Sequence, residues 1–259
     1  MQILVTNDDG ILAPGIQELA RAMVKLGDVI LSAPMEEMSA IGHGITIRDP
    51  IRIKTMTFPG ISQAWAVGGT PADCVKLAVQ ELICENCGLV ISGINNGPNL
   101  GTDVLYSGTV SAAIEGAILG LPSIAISLAS YDSTDYTVAA EVARILAEKV
   151  YNNKALIPPD TLLNVNVPAV PLEKLKGFKV TRLGVREYSN IFDKRVDPRG
   201  NTYFWLAGDV LPYQEEDPDI DVIAVENNYV SITPIHFDLT NYRIIQQIKD
   251  LGIEELKLK

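Results

Sequence analysis

Along the first 150 residues, short apolar runs alternate with stretches whose apolar positions recur every three or four residues. "QILVT" (2–6) lacks the in–out alternation of a half-buried strand, as expected where helices cover both faces of a sheet. "PGIQELARAMVKLG" follows with helical spacing, Pro14 in its first turn and Gly27 at its stop. "DVILSAP" (28–34) is a second strand, and "GITIRDPIRIKTM" (44–56) reads as a strand or hairpin. "TPADCVKLAVQELI" (70–83) is a helix with Thr70 as cap, Pro71 at its first position and Asp73 at a capping-box place. "GLVISG" (88–93) and "PSIAISLA" (122–129) are further buried strands, separated by the helix "TVSAAIEGAILG" (109–120). "YTVAAEVARILAEKVYNN" (136–153) is an amphipathic helix. This order predicts an α/β fold, a parallel sheet with helices on both sides, with right-handed crossovers and ligands at the carboxyl ends of the strands.

Beyond residue 155 the texture becomes β-rich: "TLLNVNVP", "FKVTRLG", "NTYFWLAGD" and "YVSITPI" are strand-like, and helical spacing returns from about Thr240. The turn-rich segment 186–205 reads as a projecting hairpin or loop. The economical organisation is one domain over 1–259, a core of about 1–155 and a C-terminal extension of about 156–259.

Composition narrows the partners. The 259 residues carry 21 basic and 32 acidic side chains, a formal net charge of −11, with no block of Lys or Arg. Long nucleic acid and anionic membrane surfaces are therefore poor partners. The longest apolar region is interrupted by Glu115 and Pro122, which rules it out as a membrane span. Three cysteines, Cys74, Cys84 and Cys87, make no disulfide framework, and the lone "CENC" completes no zinc site. The expectation is a reduced, cytoplasmic protein without a signal peptide.

The chemistry gathers at strand ends. The first strand runs into Asn7, Asp8 and Asp9, the second into a loop with Ser39, the third into Asn95, Asn96 and Asn99. Adjacent carboxylates repel by roughly 4 kcal/mol at about 4 Å and an effective dielectric near 20. A divalent ion would offset this, and carboxylate, hydroxyl and amide oxygens are hard ligands suited to Mg²⁺, Mn²⁺ or Ca²⁺. Asp8-Asp9-Gly10 can equally be ordinary turn chemistry. Downstream, Gly93, Gly97 and Gly101 allow close backbone approach, and "SGTV" opens a helix at Ser107. A helix N-terminus binds anions, with Ser107 and Thr109 as added hydroxyls; the simpler role of Ser107 is a cap. A metal and an anion at one sheet edge point to phosphoryl chemistry. The chain has no P-loop, no GxGxxG after the first strand, no DxD pair at this site and no GxSxG elbow. His43 is a candidate proton donor to a leaving group, against the simpler role of a loop hydrogen bond. His236 reads as structural.

With "ILVTNDDG", the Ser39 loop, "GTPADCVKLA" (69–78), "SGINNGPNLGTDVLYSGTVSAAIEG" (92–116), "PSIAIS" (122–127) and "YVSITPI" (229–235) in order, nearly the whole chain resembles the survival protein E (SurE) nucleotidase family. The resemblance implies a metal-dependent phosphatase for nucleoside 5′- and 3′-monophosphates, in some members also short polyphosphate. It implies one divalent ion, Mg²⁺ or Mn²⁺, on Asp8, Asp9, Ser39 and Asn95. Phosphate contacts would come from Asn99 and from Ser107, Gly108 and Thr109. Asp8 and Asp9 would be the catalytic pair, with water or Asp8 itself as nucleophile. The resemblance also implies a Rossmann-like α/β domain with a β-rich C-terminal extension that makes a homodimer, in some members a homotetramer, with 186–205 as assembly arm. Three positions depart from the family pattern: Asn228 for an expected glycine, Asn96 where arginine is frequent and Gly44 where serine is frequent. Asparagine tolerates left-handed backbone, so the turn at 228 is expected to survive. From the residues alone, a non-catalytic nucleotide-binding module and a nucleotide-sugar transferase stay open beside the phosphatase.

Overall fold

The computed structural model describes residues 1–83, 87–189, 192–214 and 216–256; Cys84 of the CxxC pair lies outside them. Among the described residues, the chain builds a nine-stranded mixed sheet and a separate two-stranded hairpin. The strands are β1 (Gln2–Thr6), β2 (Asp28–Pro34), β3 (Ile53–Met56), β4 (Gln63–Val67), β5 (Leu89–Asn96), β6 (Ser123–Ala129), β7 (Thr161–Pro168), β8 (Phe178–Val180), β9 (Phe192–Val196), β10 (Thr202–Leu206) and β11 (Val230–His236). The helices are α1 (Pro14–Met23), α2 (Pro71–Leu77), α3 (Gly108–Ile118), α4 (Thr137–Asn152), α5 (Asp221–Glu226) and α6 (Ile245–Lys249).

The sheet order is β3-β4-β2-β1-β5-β6-β7-β11-β8, and β4 through β7 run parallel. β3 is antiparallel to β4 at one edge; on the far side β11 is antiparallel to β7, and β8 lies parallel to β11 at the edge. The β-rich extension thus continues the same sheet. Ile3, Leu4 and Val5 are all fully buried, as the unalternating run requires. Their period of two splits them between two cores. Ile3 and Val5 pack with Ile16 and Leu19 of α1 and Ala139 and Ala143 of α4. Leu4 packs with Val75 of α2 and Ala112 of α3.

The chain leaves β1 toward β2 on one side and later places β5 on the other. That reversal opens a crevice at the carboxyl ends of β1 and β5, where a ligand can enter without crossing a connection.

Several elements differ from the sequence pattern. Of 44–56, only Ile53–Met56 forms a strand. The preceding backbone is diverted: Thr46 N–H donates to Asp73 Oδ1 and Oδ2 at 3.2 and 3.1 Å, and Pro50 has no N–H to give a ladder. The helix from Thr70 holds α geometry through Leu77 and finishes in a π turn, Ala78–Leu82. β4 is a short run of five with two alanines, and α5 is under two turns; neither is long enough to announce an element by its pattern. Segment 186–205 does contain a hairpin, β9–β10, and all ten of its strand residues are exposed. Asn228 takes a left-handed φ of 63°, so the turn that glycine would serve is kept. No helix among the described residues is long and apolar enough to cross a membrane.

The capping box at α2 is complete and has a third guest. Asp73 N–H donates to Thr70 Oγ1, Thr70 N–H donates to Asp73 Oδ2, and Thr46 N–H joins them. Asp73 is buried, and the Thr46 and Thr70 N–H groups it serves are half-buried, so losing the carboxylate leaves them poorly satisfied. Asp73→Ala is expected to lower unfolding stability by about 1–3 kcal/mol, read as a fall in the urea midpoint at unchanged slope.

Candidate functional site

β1 delivers Asp8 and Asp9 into the crevice. Asp8 is buried and its carboxylate rests against the start of α3. Gly108 makes that approach possible: a Cβ there would lie 2.7 Å from Asp8 Cβ and 2.9 Å from Asp8 Oδ2. The Thr109 hydroxyl donates to Asp8 Oδ1. Burial nonetheless pushes the Asp8 carboxyl up, outweighing the Thr109 side-chain and main-chain donors, and Glu37 adds to the rise. Asp9 is less enclosed. Its Oδ2 accepts from Asn96 N–H at 3.3 Å, while burial and the neighbouring Asp8 push its pKa to about 6.

Among the described residues, no Lys, Arg or His comes within ion-pair distance of either carboxylate. The helix N-terminus recovers at most about 2 kcal/mol of a repulsion near 4. Thr6 Oγ1, Asn7 Oδ1 and Ser92 Oγ on the adjoining strand ends are buried without a hydrogen-bond partner. This edge has a surplus of negative and oxygen-rich groups, which fits a hard cation. No cluster of three or more His, Cys, Asp or Glu occurs among the described residues, so such a centre would be built from two carboxylates plus neutral oxygens.

The other expected residues reach this edge to different degrees. Asn95 donates from Nδ2 to the Gly97 carbonyl at 2.8 Å, which leaves its side-chain carbonyl oxygen as the available ligand atom. Met38 N–H donates to the Asp8 carbonyl at 2.8 Å, bringing the Ser39 loop to the pair. The Ser39 hydroxyl itself donates to Glu37 Oε1 at 2.7 Å and not to either aspartate. Ser107 is the α3 cap: its Oγ accepts from Val110 N–H at 3.0 Å. Asn99 is buried, with Nδ2 donating to Ser127 Oγ at 2.8 Å.

Asn99 reveals two residues that sequence reasoning missed. Its N–H donates to Asn166 Oδ1 at 2.8 Å, and its carbonyl accepts from Asn166 Nδ2 at 2.9 Å and Asn164 Nδ2 at 2.8 Å. The two β7 asparagines thus hold the turn 97–101 in place as a strand partner would. The signal was present in "NVNVP": polar side chains in a fully buried strand need dedicated partners. A second unanticipated group is Glu115 on α3, 3% exposed, with Oε2 at 2.9 Å from His43 Nε2 and Oε1 at 2.9 Å from Lys76 Nζ. These partners hold its carboxyl below the ordinary range, the His43 bond most strongly. His43 therefore anchors its loop to α3. Gly42 N–H, which donates to the Tyr106 carbonyl at 3.0 Å, adds a second tie. Burial raises the Cys74 and Cys87 thiols, the inert state expected of structural cysteines.

A family model described as survival protein SurE matches residues 3–190. The chain belongs to the SurE family. The 5′-nucleotidase SurE of Heliobacterium modesticaldum is 55% identical over 251 residues, 96% of this chain and 91% of that one. The 5′-nucleotidase SurE of Syntrophomonas wolfei is 52% identical over 250 residues, 96% and 94% of the two chains. The crystal structure of the SurE protein from Aquifex aeolicus superposes with a TM-score of 0.85 at 42% identity, covering 97% of this chain and all of that one. The SurE fold is therefore the fold of this chain.

The raised Asp9 carboxyl has a pH signature in metal-free SurE protein. Its ordinary pKa is 3.8 and its folded value is about 6, so the folded state resists ionisation. That penalty is absent below about pH 4 and complete above about pH 6, about 1–2 kcal/mol once solvent screening is allowed for. With chelator present, Asp9→Asn is expected to be more stable than the parent at pH 7–8. The gap should close on acidification to pH 4, as followed by urea unfolding across that range; a gap independent of pH would contradict it.

Proposed function

We propose that this SurE-family chain is a metal-dependent phosphatase that hydrolyses nucleoside 5′-monophosphates, and 3′-monophosphates, to nucleoside and inorganic phosphate. The observation that carries the reading is the Asp8–Asp9 pair, unneutralised by any described side chain, set against the N-terminus of α3. The full-length relatives named 5′-nucleotidase support the substrate class and leave the binding-module and transferase readings without support.

Asp8, Asp9, Ser39 and Asn95 would hold one divalent ion, Mg²⁺ or Mn²⁺, with the Ser39 hydroxyl turning from Glu37. When bound, the ion supplies positive charge to a phosphate oxygen and lowers the pKa of a coordinated water. The remaining work falls to the chain. The Gly108 N–H in the first turn of α3 lacks an intrahelical acceptor and faces the incoming anion, while the N–H and hydroxyl of Thr109, expected on the phosphate, serve Asp8 instead. Ser107 keeps its hydroxyl proton as a further donor, because its oxygen is the part used in capping. Asn99, fixed by Asn166, Asn164 and Ser127, presents its side chain to a phosphate oxygen. Asp9 accepts a hydrogen bond from the attacking water and aims it at phosphorus. As the P–O ester bond breaks, Asp9 takes the proton given up by the attacking water, and the leaving ribose oxygen takes one from solvent water. Stabilising a transferring phosphoryl group is chiefly positioning and electrostatics.

The hairpin supports the assembly reading. Phe192, Phe204, Trp205 and Leu206 are each more than half exposed on β9 and β10, more apolar area than a lone arm leaves in water. The protein assembles as a homodimer, or as a homotetramer of such pairs, through this arm, and works in the cytoplasm, consistent with unpaired Cys74 and Cys87.

Two measurements follow. Pure protein should release phosphate from 5′-AMP with Mn²⁺ or Mg²⁺ and stop with chelator. Asp8→Asn should lose at least about 100-fold in turnover while keeping its far-UV spectrum. Near-normal turnover in that variant, or no release by the parent with any divalent ion, would sink the reading. Separately, Phe204→Ser with Trp205→Ser should shift the light-scattering mass from a multiple of the chain toward the monomer, and an unchanged mass would remove β9–β10 from the interface.

A further inference from the structure

The phosphate end of the substrate has its partners above, and the nucleoside end has none. Two tyrosines pack on the turns that flank the phosphate-facing residues, Tyr131 on Gly97 and Tyr188 on Asp103. Tyr131 follows β6, whose carboxyl end adjoins that of β5 in the sheet. Its ring lies directly on Gly97: a Cβ at Gly97 would come 2.2 Å from Tyr131 Cε1 and 2.8 Å from Cδ1. The Gly97 carbonyl in turn accepts from Asn95 Nδ2 at 2.8 Å. The ring is thus one residue removed from a proposed metal ligand, yet Tyr131 remains 69% exposed. An exposed tyrosine alone means little. One laid across the glycine turn beside the reacting centre, with its outer side left to solvent, is a different matter.

Tyr188 comes from the extension. Its hydroxyl donates to Asp103 Oδ2 at 2.6 Å, and the same oxygen accepts from Arg186 Nη1 at 2.6 Å. The Arg186 guanidinium carbon stands 5.7 Å from the Tyr188 ring centroid, a cation–π distance. Asp103 belongs to the 3₁₀ turn Gly101–Leu105 that leads into α3, so Tyr188 is tied to the phosphate-facing helix. Burial and the Asp103 bond hold the Tyr188 phenol high, at about 12, with Tyr131 a further, smaller contributor to the rise. Asp103 and Arg186 answer each other's charge, which leaves ring surface as what this corner offers a ligand.

We infer that Tyr131 and Tyr188 form the nucleobase platform, the base stacking on the outer face of Tyr131 with Tyr188 as its second wall. The inference rests on the nucleotidase reading and adds the contact that separates a nucleotide from any other phosphate monoester. Aromatic stacking suits it, because every base has a π face.

The test measures KM for 5′-AMP and the inhibition constant of inorganic phosphate in the parent, Tyr131→Ala, Tyr131→Phe and Tyr188→Ala. Tyr131→Ala should raise KM for 5′-AMP about tenfold, in the range of a lost base stack. The phosphate constant should stay within about twofold, since the phosphate contacts are untouched. Tyr131→Phe keeps the ring and should match the parent. Tyr188→Ala should follow Tyr131→Ala in direction. If Tyr131→Ala shifts both constants together, the ring only shapes the Gly97 turn and the proposal fails. If it shifts neither, no base rests there and the proposal fails again. A parent that releases no phosphate from 5′-AMP defeats the nucleotidase reading before any tyrosine variant is compared, so the two failures are distinct.

Discussion

Two carboxylates side by side at the end of a buried strand are the constraint around which this protein is arranged. Asp8 cannot retreat to solvent, because β1 is covered on both faces and Asp8 itself is 4% exposed. The fold answers with the strongest neutral device available, a helix N-terminus, and places Gly108 so that the helix can come close enough. Thr109 adds its hydroxyl, and Asn96 N–H serves Asp9. These donors compensate part of the repulsion. The carboxyls still resist ionisation, and that residual is what a divalent cation is suited to remove.

The rest of the carboxyl edge keeps that arrangement rigid. Asn99 is held to β7 by Asn164 and Asn166 and to β6 by Ser127, so the turn after β5 is tied to the two strands beyond it. Asp221 at the start of α5 accepts from Gly101 N–H at 2.7 Å and Gly184 N–H at 2.9 Å, which fastens the extension to the same turn. On the other side, the loop from β2 is fixed in turn by the Asp8 carbonyl, the Tyr106 carbonyl, Glu115 and Asp73. Each tie uses a buried or half-buried polar group that would be costly to leave without a partner. The polar layer at this edge is therefore a structural element as well as a site, which explains why extension and core share one sheet.

Much of this was legible in order along the chain, for identifiable reasons. Unalternating "QILVT" and "GLVIS" announce strands covered on both faces, Thr70-Pro71 and Ser107 announce helix starts, and the resulting topology places Asp8, Asp9 and Asn95 at one edge. What escaped depends on contacts distant in sequence. The Asp73 bond to Thr46 diverts a segment that looks like a strand, Glu115 claims His43 across 72 residues, and Asn166 meets Asn99 across 67. No local periodicity encodes such pairs. The Ser39 hydroxyl was legible as a loop residue near the site, but its bond to Glu37 depends on the local charge balance, which sequence spacing does not contain.

The charge balance also bears on how an acidic protein handles an acidic substrate. The chain carries a formal net charge of −11, and Asp8, Asp9 and Glu37 concentrate negative potential at the crevice. A phosphate dianion approaching that edge meets repulsion at long range and carboxylates at short range. The α3 N-terminus alone does not reverse this, because Asp8 already occupies much of its favourable field. A bound cation at the carboxylates would change the sign of both contacts at once. The pair whose carboxyls resist ionisation in this fold is thus the same pair that suits a cation beside a bound phosphate. The electrostatic cost at this edge and its suitability for a cation have a single origin in Asp8 and Asp9.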